Sequence, residues 1–199
     1  MKKMIKTLMM AAMALGFAAA HADAAPEFTL KDAHGNEHSL SDFEGKIVVL
    51  EWVNHGCPFV VKFYRGGHMQ ALQKEMVDQG VVWLSICSSA PNQQGWMTPE
   101  DQAKTITEKG IKATAVLLDE SGTVGRAYGA RTTPHMFVID AEGQIRYNGA
   151  IDSIRSTNAA DIERADNYVR AAVASVKAGE EVATPRTQPY GCSVKYARN

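Results

Sequence analysis

Three largely apolar runs, "KIVVLEWV" at 46–53, "VVWLSICS" at 81–88 and "AVLLDE" at 115–120, constrain this chain more than any other feature. None shows the polar alternation of a strand with one wet face, so each reads as a strand buried on both sides. The segments between them are helical. "FVVKFYRGGHMQALQKEMVDQG" is broken or kinked at Gly66 and Gly67, and "TPEDQAKTITEKG" opens with Thr98 as N-cap and Pro99 in the first turn. Strand, helix, strand, helix, strand implies a parallel sheet covered by helices. "GTVGRAYGA" then reads as a short helix or turn closed by Gly129. "TTPHMFVIDAEGQIRYNGAI" reads as two strands joined by the turn "DAEG", which adds an antiparallel side. "ADIERADNYVRAAVASVKAG" reads as one amphipathic helix with Ile162, Ala165, Tyr168, Val169, Ala172, Val173 and Val176 on a single face. Upstream, "EFTLKDAHGNEHSL" forms a short hairpin around a "DAHGNE" turn. The expected class is α/β: a central mixed sheet flanked by helices, with an N-terminal β-hairpin extension and a C-terminal tail.

The two ends set the context. Lys2, Lys3 and Lys6 precede an apolar stretch from Leu8 to Ala20 and then small residues at Ala20, Ala22 and Ala24, the pattern of a cleaved secretory leader. The apolar stretch is shorter than the roughly 20 residues that span a bilayer, so a stable membrane insertion is not expected. Residues 1–24 are therefore read as a signal peptide, 25–178 as one domain and 179–199 as a tail, in a protein secreted across the inner membrane to the periplasm. Beyond residue 24 there are 18 basic and 21 acidic residues with no basic block, which argues against a nucleic-acid partner. The three cysteines, Cys57, Cys87 and Cys192, are an odd number in an oxidising compartment, so at least one lacks an intramolecular partner.

Cys57 stands where the first buried strand gives way to a helix, with Pro58 suited to the first helical position. Unpaired N–H groups and the positive end of the helix dipole favour thiolate there, whereas burial favours thiol. A thiolate is the form that attacks a disulfide or a peroxide. The second signal is Thr133-Pro134 at the start of an apolar strand. Proline gives no N–H to a sheet, so this one marks an edge, a bulge or a cis bond, unless it is an ordinary trans proline opening a strand.

With those residues in place the chain resembles the thioredoxin superfamily, through the strand followed by "CPFV", the segment "TTPHMFVID" and the "EGQIRYNGAI" hairpin with its final helix. It is similar, more closely, to the peroxiredoxin-like or redoxin-domain proteins, which combine an N-H-x-C-P site with a terminal "PYGCSVKY". The resemblance implies a thioredoxin-like fold and a thiol-dependent oxidoreductase or antioxidant protein of cell redox homeostasis. Cys57 would be the attacking cysteine. Thr133 and a cis Pro134 would flank the sulfur and present backbone to an incoming peptide or disulfide. Two departures stand out: Val60 occupies the position of a second cysteine, and Asn54 that of the threonine expected three residues before a peroxide-reactive cysteine.

Without an adjacent partner, the thiol that resolves a mixed disulfide must come from elsewhere. Cys192 is the candidate, because Pro189, Tyr190, Gly191 and Tyr196 suggest a tail shaped to pack; the alternative is an idle tail thiol. Cys87 reads as a small core hydrophobe. Asn54, His55, Pro58 and His135 are supporting candidates, the histidines as thiolate stabilisers or proton shuttles. Two other readings stay open: a copper or zinc module using Cys57, His55 and His135, and a redox-inactive, partner-binding scaffold. Under the principal reading no organic cofactor and no resident metal are expected. The partner is a protein or small-molecule thiol or disulfide, or a peroxide, and the sequence leaves the oligomeric state open.

Overall fold

The computed structural model describes residues 23–197. Most of the predicted leader therefore lies outside the described residues. Its last two, Asp23 and Ala24, form a short strand β1 against the strand that contains Ile145 and Gln144.

The predicted hairpin is β2 (Thr29–Asp32) and β3 (Glu37–Ser39), turned by Asp32, whose carboxylate accepts from the amides of His34 and Asn36. The three apolar runs become β4 (Val48–Trp52), β5 (Val82–Cys87) and β6 (Ala115–Leu118). The predicted antiparallel pair is β8 (His135–Ile139) and β9 (Gln144–Gly149), preceded by a two-residue β7 (Thr132–Thr133). One eight-stranded sheet runs in the order β1-β9-β8-β4-β5-β6-β2-β3. β4, β5 and β6 are parallel neighbours, β8 is antiparallel to β4, and the hairpin joins the sheet by pairing β2 antiparallel with β6. This is the mixed sheet that the periodicities predict.

Alternate residues of β4, with Val53 just beyond it, feed two cores. Val49 and Val53 pack with Phe63, Met69, Leu72, Met76, Val169 and Val173 from the helices of one face. Val48, Leu50 and Trp52 pack with Phe28, Leu84, Ile86, Tyr128 and Phe137 on the other. Each such fully buried side chain stabilises the fold by roughly 1.5–3 kcal/mol before its entropy loss. The central strands are thereby the rigid frame that carries the site at their ends.

The helix after β4 is split as expected, into α1 (Pro58–Arg65) and α2 (His68–Asp78), because Gly67 is left-handed with φ 77°. α3 (Pro99–Lys109) has Thr98 as N-cap, its hydroxyl accepting from the Asp101 amide, and α4 is Thr123–Ala127. The last helix departs from expectation. The single helix read from 160 to 179 is a 3-10 turn, Ala159–Arg164, followed by α5 (Tyr168–Ala178). Residues 166–168 are drawn out of helical geometry by pairing with 151–153: Ser153 N–H donates to Asp166 O and Tyr168 N–H to Ile151 O. Asn167 then caps α5 by accepting from the Arg170 amide.

Candidate active site

The loop that leaves β4 is braced by Asn54. Its side-chain oxygen accepts from the Gly56 amide at 2.8 Å, its amide group donates to Gln94 O at 3.1 Å, and its carbonyl accepts from Cys57 N–H at 2.9 Å. Cys57 is thereby set as N-cap of α1, with Pro58 in the first turn and the Val60 and Val61 amides both donating to its carbonyl. Its sulfur lies 3.1 Å from Thr133 O, and the Thr133-Pro134 peptide is cis.

The tail reaches the same point. Cys192–Ser193 forms a short strand, β10, antiparallel to β7 with Cys192 opposite Thr133, and the Cys192 amide donates to the Cys57 sulfur at 3.4 Å. The tail is held along its length. Thr187 Oγ1 accepts from the Ala150 amide, Val194 N–H donates to Arg131 O, Ala90 N–H donates to Lys195 O, and the Tyr196 hydroxyl donates to Ala130 O. Two glycines make this approach possible. A Cβ on Gly149 would come within 2.1 Å of Thr187 Oγ1, and one on Gly191, at φ 132°, within 2.0 Å of Thr133 O. Cys57 is in consequence fully buried, under its own chain terminus.

Opposed influences act on the two sulfurs. Burial pushes the Cys57 pKa up, but the thiol and amide of Cys192, with the nearby Thr133 side chain and Val60 amide, outweigh it and hold the pKa below the ordinary thiol value. The Thr133 hydroxyl is buried with no hydrogen-bond partner among the described residues, so it is available to the sulfur once that ionises. Cys192 is pushed the other way, up to about 11, by burial and by its hydrogen bond to Cys57 and that group's charge. The two pKa values are driven apart, so Cys57, whose S–H donates to Thr133 O when protonated, is the first of the pair to ionise.

The two histidines sit in different settings, and both ring nitrogens of His55 are buried with no hydrogen-bond partner among the described residues. His135 sits on β8 with Nδ1 accepting from the Arg131 amide at 3.3 Å and Nε2 at 2.7 Å from Asn148 Oδ1; burial holds its pKa down to about 4. His55 stands edge-on to the Tyr64 ring at 4.8 Å and lines a cavity of about 560 Å³ with Arg65, Gln70 and Lys109; burial and the Lys109 charge hold it down to about 4. Neither makes a hydrogen bond to Cys57 among the described residues. The alternative reading, a metal ion held by Cys57, His55 and His135, therefore finds no support in this geometry, and no three His, Cys, Asp or Glu groups form a metal-binding cluster among the described residues. Cys87 packs in the core, donates to Gly95 O at 3.2 Å and is pushed up by burial.

Glu51 was not foreseen from the sequence. It is fully buried in β4 and accepts from Tyr64, Gln73, Trp83 and Ser85, and burial raises its pKa. The signal was present: a carboxylate in the middle of an otherwise apolar strand needs a polar shell of its own. Lys62 and Asp152, buried beneath the tail residue Tyr190, were also passed over.

Comparison with known proteins bears on this geometry. The model of the AhpC/TSA family matches residues 21–148, a span that includes Cys57, Thr133 and Pro134 and ends before the tail. The thiol-disulfide oxidoreductase ResA of Geobacillus thermodenitrificans (strain NG80-2) is 27% identical over 122 residues, 61% of this chain and 64% of that protein's length. The chain thus spans less than two thirds of the curated relative it matches. A protein of Sinorhizobium meliloti 1021, described as hypothetical, superposes with a TM-score of 0.76 at 27% identity, over 92% of this chain and 98% of its own. The thioredoxin domain of a thiol-disulfide oxidoreductase from Bacteroides vulgatus superposes with a TM-score of 0.52 at 24% identity, over 74% of this chain and 98% of that domain, a likeness of fold.

Proposed function

The chain belongs to the AhpC/TSA family and has a thioredoxin-like fold, and from that premise we propose that it is a thiol-disulfide oxidoreductase with Cys57 as nucleophile and Cys192 as resolving thiol. The observation that carries the reading is the meeting of these two residues, 135 positions apart, with the Cys192 amide 3.4 Å from the Cys57 sulfur.

The chemistry follows from the opposed pKa shifts. The Cys57 thiolate attacks one sulfur of a substrate disulfide, forming a mixed disulfide and releasing the other sulfur as a thiolate that takes a proton from solvent. Cys57 is then neutral, so the charge and hydrogen bond that held the Cys192 proton are gone. Cys192 loses its proton and attacks the Cys57 sulfur, and the second substrate thiolate leaves. Two electrons pass from the pair to the substrate, and the Cys57–Cys192 disulfide is returned to two thiols by a dithiol or two monothiols. The Thr133 carbonyl accepts the Cys57 S–H before ionisation and its hydroxyl lies beside the sulfur, Pro58 and Asn54 fix the approach to α1, and His55 and His135 take no part in a step. No step requires a cofactor.

A peroxide is the second substrate class, favoured by the complete burial of the sulfur, which a small oxidant reaches more easily than a protein. The thiolate and a proton would convert the peroxide to an alcohol or water, leaving a sulfenic acid on Cys57. Cys192 would condense with it to the disulfide and water. Export to the periplasm through the segment 1–24 belongs to this proposal, supported by its lysines and apolar run.

The test is peptide mapping of the protein alkylated without reductant, before and after one equivalent of oxidised glutathione or of hydrogen peroxide. A Cys57–Cys192 cross-linked peptide with Cys87 alkylated is expected, and the faster oxidant identifies the substrate class. Cys57 remaining a slowly alkylated free thiol in every sample would falsify the oxidoreductase reading.

A further inference from the structure

The side chain of Lys62 is fully buried in α1, five residues after Cys57. Its ammonium lies 3.3 Å from Asp152 Oδ2, 3.3 Å from Ile154 O and 3.5 Å from the Tyr190 hydroxyl. The Tyr190 hydroxyl donates to the other oxygen of Asp152. Tyr190 belongs to the tail, two residues before Cys192, and its ring meets that of Phe59, two residues after Cys57, at 5.7 Å. All three polar groups are buried: Lys62 is 3% exposed, Asp152 3% and Tyr190 5%.

Stability alone does not account for this arrangement. Two desolvated charges gain little over an apolar trio of the same volume. What the ion pair does provide is a fixed acceptor for a single group from the tail. Asp152 also accepts from the Ile154 amide at 3.2 Å, so its position is set by the main domain. The carboxylate stays in register with α1 through Lys62, and therefore with Cys57. The phenol that binds it is joined to Cys192 by Gly191 alone.

We propose that Lys62, Asp152 and Tyr190 are positioning residues, a latch that holds the tail thiol over Cys57. This rests on the assignment of Cys192 as resolving thiol. The latch acts by raising the effective concentration of Cys192 at the Cys57 sulfur. The charge-assisted hydrogen bond from Tyr190 adds to the contacts that hold the tail elsewhere, and it is the one that can open next to Cys192 when a bulky mixed disulfide forms on Cys57.

The experiment measures the equilibrium in which the Cys57–Cys192 disulfide and two reduced glutathiones give two protein thiols and one oxidised glutathione, in the full chain. Tyr190→Phe keeps the ring and removes the hydroxyl. It is expected to shift the equilibrium about tenfold toward the dithiol and to speed alkylation of Cys57 in the reduced protein by a similar factor, as loss of a hydrogen bond to a charged group implies. The double variant Lys62→Met with Asp152→Asn leaves no unpaired buried charge. It should give the same shift, and combining it with Tyr190→Phe should add little. A folded Tyr190→Phe protein with an unchanged glutathione equilibrium overturns the latch and leaves the Cys57–Cys192 reading standing. A wild-type protein that forms no such disulfide while Cys57 reacts overturns both.

Discussion

At Cys57 burial and hydrogen bonding oppose each other, and the donors win. One of them, the Cys192 thiol, can be removed without touching the rest. Cys192→Ala leaves the backbone amide and deletes the S–H donor, so the pH at which Cys57 reaches half its maximal alkylation rate should rise. Cys192→Ser keeps a donor and should stay near the wild-type midpoint. Rates with iodoacetamide from pH 5 to 10 distinguish the two; equal midpoints would assign the whole effect to the amides and the Thr133 hydroxyl. Cys57 was legible because a cysteine before proline at a strand-to-helix junction has a local meaning. Cys192 was legible as a candidate only through its aromatic neighbours, since its encounter with Thr133 is a pairing between distant segments. The histidines misled because closeness in sequence does not aim a ring: Asn148 and Tyr64 claim them.

Among the elements, the tail is the one whose fit depends on a single backbone conformation. Gly191 has φ 132°, and an added Cβ would meet Thr133 O at 2.0 Å. Gly191→Ala should therefore undo the β10–β7 pairing, cost on the order of 1–3 kcal/mol and expose Cys57. A lower urea midpoint together with faster Cys57 alkylation checks this, and an unchanged alkylation rate would mean that the pairing does not shield the sulfur. The regular elements were easier to foresee. β4, β5 and β6 each need only their own apolar run, and the break between α1 and α2 needs only two adjacent glycines. The final helix was overextended because an apolar period of 3.6 continues through Ile162 and Ala165. Nothing local announces that residues 151–153 will pair with 166–168. The hairpin was visible from its turn, but its pairing with β6 joins segments about 85 residues apart and leaves no local trace.

For the molecule as a whole, acid stability turns on three buried titratable groups. His55, against Tyr64, and His135, beside Phe137, both have pKa values held down to about 4 by burial, with the Lys109 charge also acting on His55. Above pH 6.5 each is neutral whether the chain is folded or not. Below it the unfolded chain takes up protons that the folded chain refuses, so stability falls until about pH 4, by on the order of 3 kcal/mol for each histidine. Glu51 works in the opposite sense. Its pKa is raised by burial, so the folded chain binds a proton above pH 4.5 where the unfolded chain does not, and its contribution grows as pH falls. Asp32, held low by its hydrogen bonds despite some burial, loses its contribution only below about pH 4. Two histidines against one glutamate predict a net loss of stability between pH 6.5 and 4.5. Urea unfolding at half-unit intervals measures it. Glu51→Gln keeps an acceptor for Tyr64, Trp83 and Ser85 but removes the opposing titration, so its loss over the same window should be steeper than that of the wild type. His135→Asn should be flatter. A wild-type curve that is level from pH 7 to 4.5, and stays level in Glu51→Gln, would mean that the buried rings are not neutral in the folded protein.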